Sequence, residues 1–197
     1  MKNQLKVCAL SFLALFLSNY SAYAVDQVNL PLPGHFQAIQ YLSLPAIFNG
    51  WGQDFTGEFK LAFVSVMNEW YRGKSGSSPD EEQMINRFIT ESKDKPVSCH
   101  QPALWKSTTD SSYLATAICT QEDFHITLIA WTNRTGKLVT SHFAGDKAMP
   151  VSITEVKSAS QSLQLKGEQP YYEGEGTMTC LLTWDGEKFV ASNYGSK

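Results

Sequence analysis

The sequence predicts an α+β domain with two N-terminal helices packed on one face of an antiparallel meander sheet. Apolar residues recur at helical spacing between residues 55 and 70, and a helix-start signature follows at Ser78-Pro79-Asp80-Glu81. From about residue 97 the period falls to two, with hairpin signals at Asn133–Gly136 and Trp184–Glu187. Helices first and strands afterwards is the order of an α+β chain, not of βαβ units.

Residues 1–24 read as a secretory signal peptide. Lys2 and Lys6 make a basic start, Val7 to Leu17 is an apolar run too short to span a bilayer, and Ala22-Tyr23-Ala24 has the small-x-small cleavage pattern. The expected location is therefore periplasmic or secreted, with no membrane association after cleavage. Residues 25–197 are then a single domain.

Residues 25–53 read as an irregular lead-in that packs through Ile39, Leu42, Ile47, Phe48 and Trp51. Residues 54–72 read as a helix: Phe55, Phe59, Ala62, Phe63, Val66, Met67 and Trp70 share one stripe, with Asp54 as N-cap and Gly73 beyond the end. Gly73 to Ser78 is a linker. A second helix opens at the capping box, carries Met84, Ile85, Phe88 and Ile89, and ends at Lys95-Pro96. Strands are expected at 112–119, 124–132, 137–143, 151–156, 161–166, 176–184 and 187–192, with Gly167 to Gly176 as a loop.

The whole chain carries 16 Lys+Arg against 19 Asp+Glu, a net charge of −3, and losing Lys2 and Lys6 makes it more acidic. That balance argues against nucleic acid and anionic membranes as partners. Beyond the signal peptide the cysteines are Cys99, Cys119 and Cys180. An oxidising compartment implies one disulfide. Three pairings are open, and the short separation of Cys99 and Cys119 favours that pair, with Cys99 in a loop.

The candidate functional residues lie around the Asn133–Gly136 hairpin. With Arg134-Thr135 at its tip, His142 opposes Thr127 and shares a face with His125, Ile129, Trp131, Leu138 and Thr140. The opposite face holds Phe124, Ile126, Leu128, Ala130, Val139 and Phe143 and is the one the helices should cover. Two histidines fall short of the three or four ligands a zinc site takes, so no metal or other cofactor is expected. No H-E-x-x-H, G-x-S-x-G or P-loop motif is present. Asn133-Arg134-Thr135 matches a glycosylation acceptor but also explains itself as a turn.

One stretch resembles the periplasmic lysozyme inhibitors of Gram-negative bacteria, of the vertebrate-lysozyme-inhibitor type. It comprises Tyr113 to Cys119 and Thr120 to Asp123, then Ile126 to Trp131, then Gly136 to Phe143. In that family a strand ends at a cysteine, a short exposed loop follows, and the next strand ends in tryptophan. The family loop carries a second cysteine and a histidine, and Thr120 to Phe124 carries neither. The resemblance implies an α+β fold and a loop that plugs a hydrolase cleft.

Together these readings give an exported, non-enzymatic domain that binds another protein, inhibiting or giving immunity against a basic envelope hydrolase or toxin. The expected contact is Gln121, Glu122 and Asp123, with the His125, Trp131 and His142 face second. Two alternatives stand: a small-molecule or peptide carrier using that sheet face, and an envelope enzyme using Cys99 with a histidine.

Overall fold

The structure, a computed structural model, describes residues 30–40, 43–72, 78–145, 150–170 and 176–196. The expected signal peptide at 1–24 lies outside the described residues, as do residues 73–77 of the expected linker.

The helix stripe and the capping box both form where the sequence places them. Helix α1 is Leu44–Gly50, α2 is Phe55–Arg72 and α3 is Pro79–Ser92. Among the described side chains of α2, which exclude that of the expected stripe residue Trp70, the buried ones are Phe59, Ala62, Phe63, Val66 and Met67, and the Asp54 carboxylate accepts from the Thr56 N–H at 3.0 Å, as an N-cap does. Ser78 and Glu81 complete the capping box reciprocally, at 2.9 and 3.3 Å. Helix α3 ends at Ser92, three residues before the expected Lys95.

The strands are β1 Gly34–Gln40, β2 Ser98–Ser107, β3 Tyr113–Gln121, β4 Phe124–Thr132, β5 Leu138–Phe143, β6 Ser152–Ser158, β7 Leu163–Pro170, β8 Thr177–Trp184 and β9 Phe189–Ser196. They form one antiparallel sheet in the order β5-β4-β3-β2-β1-β6-β7-β8-β9. The outermost strands β5 and β9 approach each other, so the sheet curls almost into a barrel.

Four expectations are corrected here. The lead-in is not irregular: it supplies α1 and the central strand β1. The sheet is therefore two runs of hairpins joined at β1, not one meander. Cys99 lies within β2, directly opposite Cys119. Gly167 to Pro170 belong to β7, while residues 171–175 of the expected loop lie outside the described residues.

The alternation of the strands separates two apolar layers. Ala115, Ala117 and Cys119 of β3 and Phe124, Ile126, Leu128 and Ala130 of β4 cluster with Phe48, Phe59, Phe63 and Met67 of the helices. Leu114, Ile129 and Trp131 face the other way, into the curl, against Leu163, Leu182, Trp184 and Phe189. Both faces of β3 and β4 are thus buried.

Gly167 is buried where β7 runs between β6 and β8. A Cβ there would lie 2.5 Å from both the Ser152 carbonyl oxygen and Val151 Cγ1. Gly167→Ala should therefore push the two strands apart and lower stability by about 1–3 kcal/mol, readable as a drop in urea midpoint. An unchanged midpoint would show that the β6–β7 contact yields freely.

Candidate functional site

The turn between β3 and β4 is only Glu122 and Asp123, with Glu122 in the left-handed region at φ 53°. Both residues are exposed. Gln121 is not: it is 4% exposed, and its Nε2 donates to the carbonyls of Ser92 and Lys95 at 3.0 and 2.9 Å. The expected three-residue contact is corrected on this point, because Gln121 ties off the end of α3. Lys60 Nζ also donates to the Lys93 carbonyl there, and Lys95 pairs with Glu122 at 2.6 Å.

The next connection decides which way His142 points. The Asn133 side chain is buried and acts as a surrogate main chain. Its Oδ1 accepts from the N–H groups of Thr135 and Lys137 at 3.0 and 2.9 Å and from Thr135 Oγ1 at 2.8 Å. The Asn133 N–H donates to the Lys137 carbonyl at 2.9 Å, and Gly136 takes φ 77°. The loop thus runs from Asn133 to Lys137, longer than a two-residue tip at Arg134-Thr135.

That lengthening moves β5 by one position and turns every side chain on it over. His142 lies opposite Leu128, not Thr127, and faces the helix side with Leu138 and Thr140. His125, opposite Thr120, stays on the other face with Thr127, Ile129 and Trp131. The expected shared face of His125, Trp131 and His142 is therefore corrected: two of the three share a face. Trp131 is fully buried against Trp184 and Phe189 and is not a ligand surface.

The cysteine chemistry is also placed. Cys99 and Cys119 form a disulfide, so the thiolate that a Cys99 nucleophile requires is consumed while that bond stands. Cys180 is buried on β8, its Sγ donating to Gln169 Oε1 at 3.3 Å, and burial raises its thiol pKa. Among the described residues no group of three or more His, Cys, Asp or Glu is placed to hold a metal ion.

What the structure assembles around His142 is a groove between α2 and β5. One part, of about 220 Å³, is lined by Glu58, Leu61, Ala62, Leu128, Thr140 and His142. The adjoining part, of about 340 Å³, is lined by Val66, Glu69, His142, Phe143, Lys188 and Val190, where the sheet fails to close between β5 and β9. Thr140 Oγ1 donates to the Glu58 carboxylate at 2.7 Å, and Lys188 stands 3.4 Å from Glu69. Leu61 and Val190 lie at the groove with 69% and 48% of their surfaces exposed. The sequence marked α2 only by its apolar stripe. Glu58, Leu61 and Glu69 sit on its flank, and Leu61 is the apolar residue that breaks the polar side of the helix.

Burial lowers the His142 pKa below its ordinary 6.5, and the nearby Glu69 charge only partly opposes this. The folded state therefore disfavours the imidazolium, so acidification through the histidine range takes stability away and raising pH to about 6.5 restores it. His142→Gln should flatten that part of the pH–stability curve between about pH 5 and 7, measured by urea midpoints at each pH. An unchanged slope would place the imidazole in water.

No helix among the described residues is long and apolar enough to cross a membrane. No protein-family model, characterised protein or solved structure matches this chain.

Proposed function

We propose that the chain is an exported protein-binding domain of the cell envelope, acting as an inhibitor of, or immunity factor against, a basic hydrolase or toxin. The observation that carries this reading is the groove between α2 and β5: a concave surface with exposed apolar side chains and a half-buried histidine between two carboxylates. The signal-peptide pattern of residues 1–24 supports export, and the acidic balance of the chain supports a basic partner. In this reading α2 and α3 are the helical pair fixed on one face of the sheet, which keeps the groove open in the unbound protein. The exposed Glu122 and Asp123 form a second contact at the far end of β4.

Affinity capture from envelope extract, with the Leu61→Asp variant as control, tests the reading. A stoichiometric basic partner, lost with the variant and inhibited by the purified protein, is the expected result. Equal capture by both proteins, or unaltered hydrolase activity at excess inhibitor, would remove it.

A second reading has its own observation. A pocket of about 210 Å³ opens among β2, β3, β4 and β6, lined by Gln101, Thr116, Ile118, Thr127, Val151 and Ile153. Gln101, at φ 50° in a bulge of β2, accepts from Ser152 Oγ at 2.7 Å at this rim. A small uncharged ligand would suit it, and a carrier would gain thermal stability with such ligands alone.

A further inference from the structure

The pocket at the β2 bulge lies where the sheet splits. Gly34, His35 and Phe36 pair with Val156 to Ser158, but Gln37, Ala38 and Gln40 pair with β2 alone. The first half of β6 therefore pairs only with β7, and the chain entering it lies against β3 and β4 inside the curl. Thr127 of β4 holds that chain in place: its Oγ1 donates to the Val151 carbonyl and accepts from the Val151 N–H, both at 2.9 Å. One wall of the pocket is thus fixed in the unbound protein. Another wall is the bulge, where Gln101 and Pro102 stand opposite Ala117 alone.

The polar groups of the pocket are unequally satisfied. Thr116 lines it and is 3% exposed. Its Oγ1 accepts from Trp105 Nε1 at 3.1 Å, which fixes the oxygen. Its own O–H meets no acceptor among the described residues, whereas Thr127 both donates and accepts. A buried hydroxyl that keeps its proton unspent loses its hydration without return. Gln101 adds a second donor at the rim: its Oε1 serves Ser152 Oγ at 2.7 Å, which leaves the Nε2 hydrogens.

We infer that this pocket binds a small neutral molecule with an apolar body and a carbonyl oxygen. The oxygen accepts from the Thr116 hydroxyl, and the body lies against Ile118, Val151 and Ile153. This rests on the carrier reading of the pocket and names its class of ligand. No lining residue is charged, so a carboxylate or ammonium would leave water without a counter-charge. The volume of about 210 Å³ is below the range of roughly 300–1,000 Å³ that drug-sized ligands occupy, so the occupant is a single ring or a short chain.

The test is titration of the purified protein with cyclohexanone, with methylcyclohexane as its apolar counterpart and with cyclohexanecarboxylate, followed by the methyl resonances of Ile118, Val151 and Ile153. Cyclohexanone should shift all three and saturate, and the carboxylate should bind about tenfold more weakly or not at all. The infrared carbonyl stretch of the bound ketone should be that of a hydrogen-bonded carbonyl. Thr116→Val, which removes the donor, should weaken cyclohexanone about tenfold and leave methylcyclohexane unweakened, while Thr116→Ser retains ketone binding. A carbonyl stretch at its apolar-solvent position, ketone binding unweakened by Thr116→Val, or tighter binding of the carboxylate would overturn the inference. The infrared measurement needs no variant, so it decides the matter even if Thr116→Val misfolds. Each of those outcomes leaves the carrier reading standing, because a small molecule still enters the pocket. If none of the three probes moves the methyl resonances, the inference and the carrier reading fall together.

Discussion

Replacing Trp131 by alanine is expected to cost about 3–5 kcal/mol, the range for deleting a large aromatic from a core that cannot collapse. Trp131 has no exposed surface. Its ring meets Trp184 edge-on at 5.2 Å and Phe189 at 6.0 Å, and those two stand 5.3 Å apart. The three rings join β4 to the β8–β9 hairpin across the inside of the curled sheet. Alanine would leave a void bordered by two rigid neighbours. Urea unfolding followed by the remaining tryptophans measures the loss. A cost below about 1.5 kcal/mol would mean that the two halves of the sheet are not coupled through these rings.

Reducing the Cys99–Cys119 disulfide should cost about 3 kcal/mol, the chain-entropy value for a loop of this length. The two residues are 20 apart in sequence and directly opposed on β2 and β3. The closed loop contains the bulge near Gln101 and the turn that leads into β3, both segments that wander when unfolded. The Cys99→Ala, Cys119→Ala double variant should lose somewhat more, because Cys119 is fully buried against the helices and its sulfur is then missing from that layer. Urea midpoints with and without reductant separate the two contributions. Equal midpoints in the oxidised and reduced protein would contradict the loop-closure argument.

The parts of the fold legible in the sequence are those where burial follows a simple period. The α2 stripe is legible because one side of the helix meets the sheet and the other meets water. Strand β4, Phe124–Thr132, is found to the residue because every second side chain belongs to one apolar layer. Strand β1 escapes because, among its described side chains, only Phe36 is buried, while Gln37, Ala38 and Ile39 are exposed despite its central place. Strand β2 escapes because His100, Gln101 and Pro102 interrupt its alternation at a bulge.

The site was less legible than the fold, and the reason is a single amide. Whether Asn133 supplies only its main chain to the turn, or its side chain as well, changes the loop length by a small amount. The consequence is large, since it carries His142 from one side of the sheet to the other. No pattern of polarity reveals that choice, because Leu138 to Phe143 mixes apolar and polar residues on both faces. The groove itself joins residues as distant as Glu58 and Val190, a juxtaposition that only the curl of the sheet creates.

The central position of β1 governs the order in which the molecule assembles. Its residues are made early, yet its ladder partners are Leu104 to Ser107 on one side and Val156 to Ser158 on the other. The two blocks of hairpins can each form from local pairings, but they become one sheet only when both have closed on the same seven residues. Such long-range closure gives a high contact order, and folding in the range of milliseconds to seconds rather than microseconds. A chain delivered N-terminus first therefore stays open at β1 until β6 has emerged.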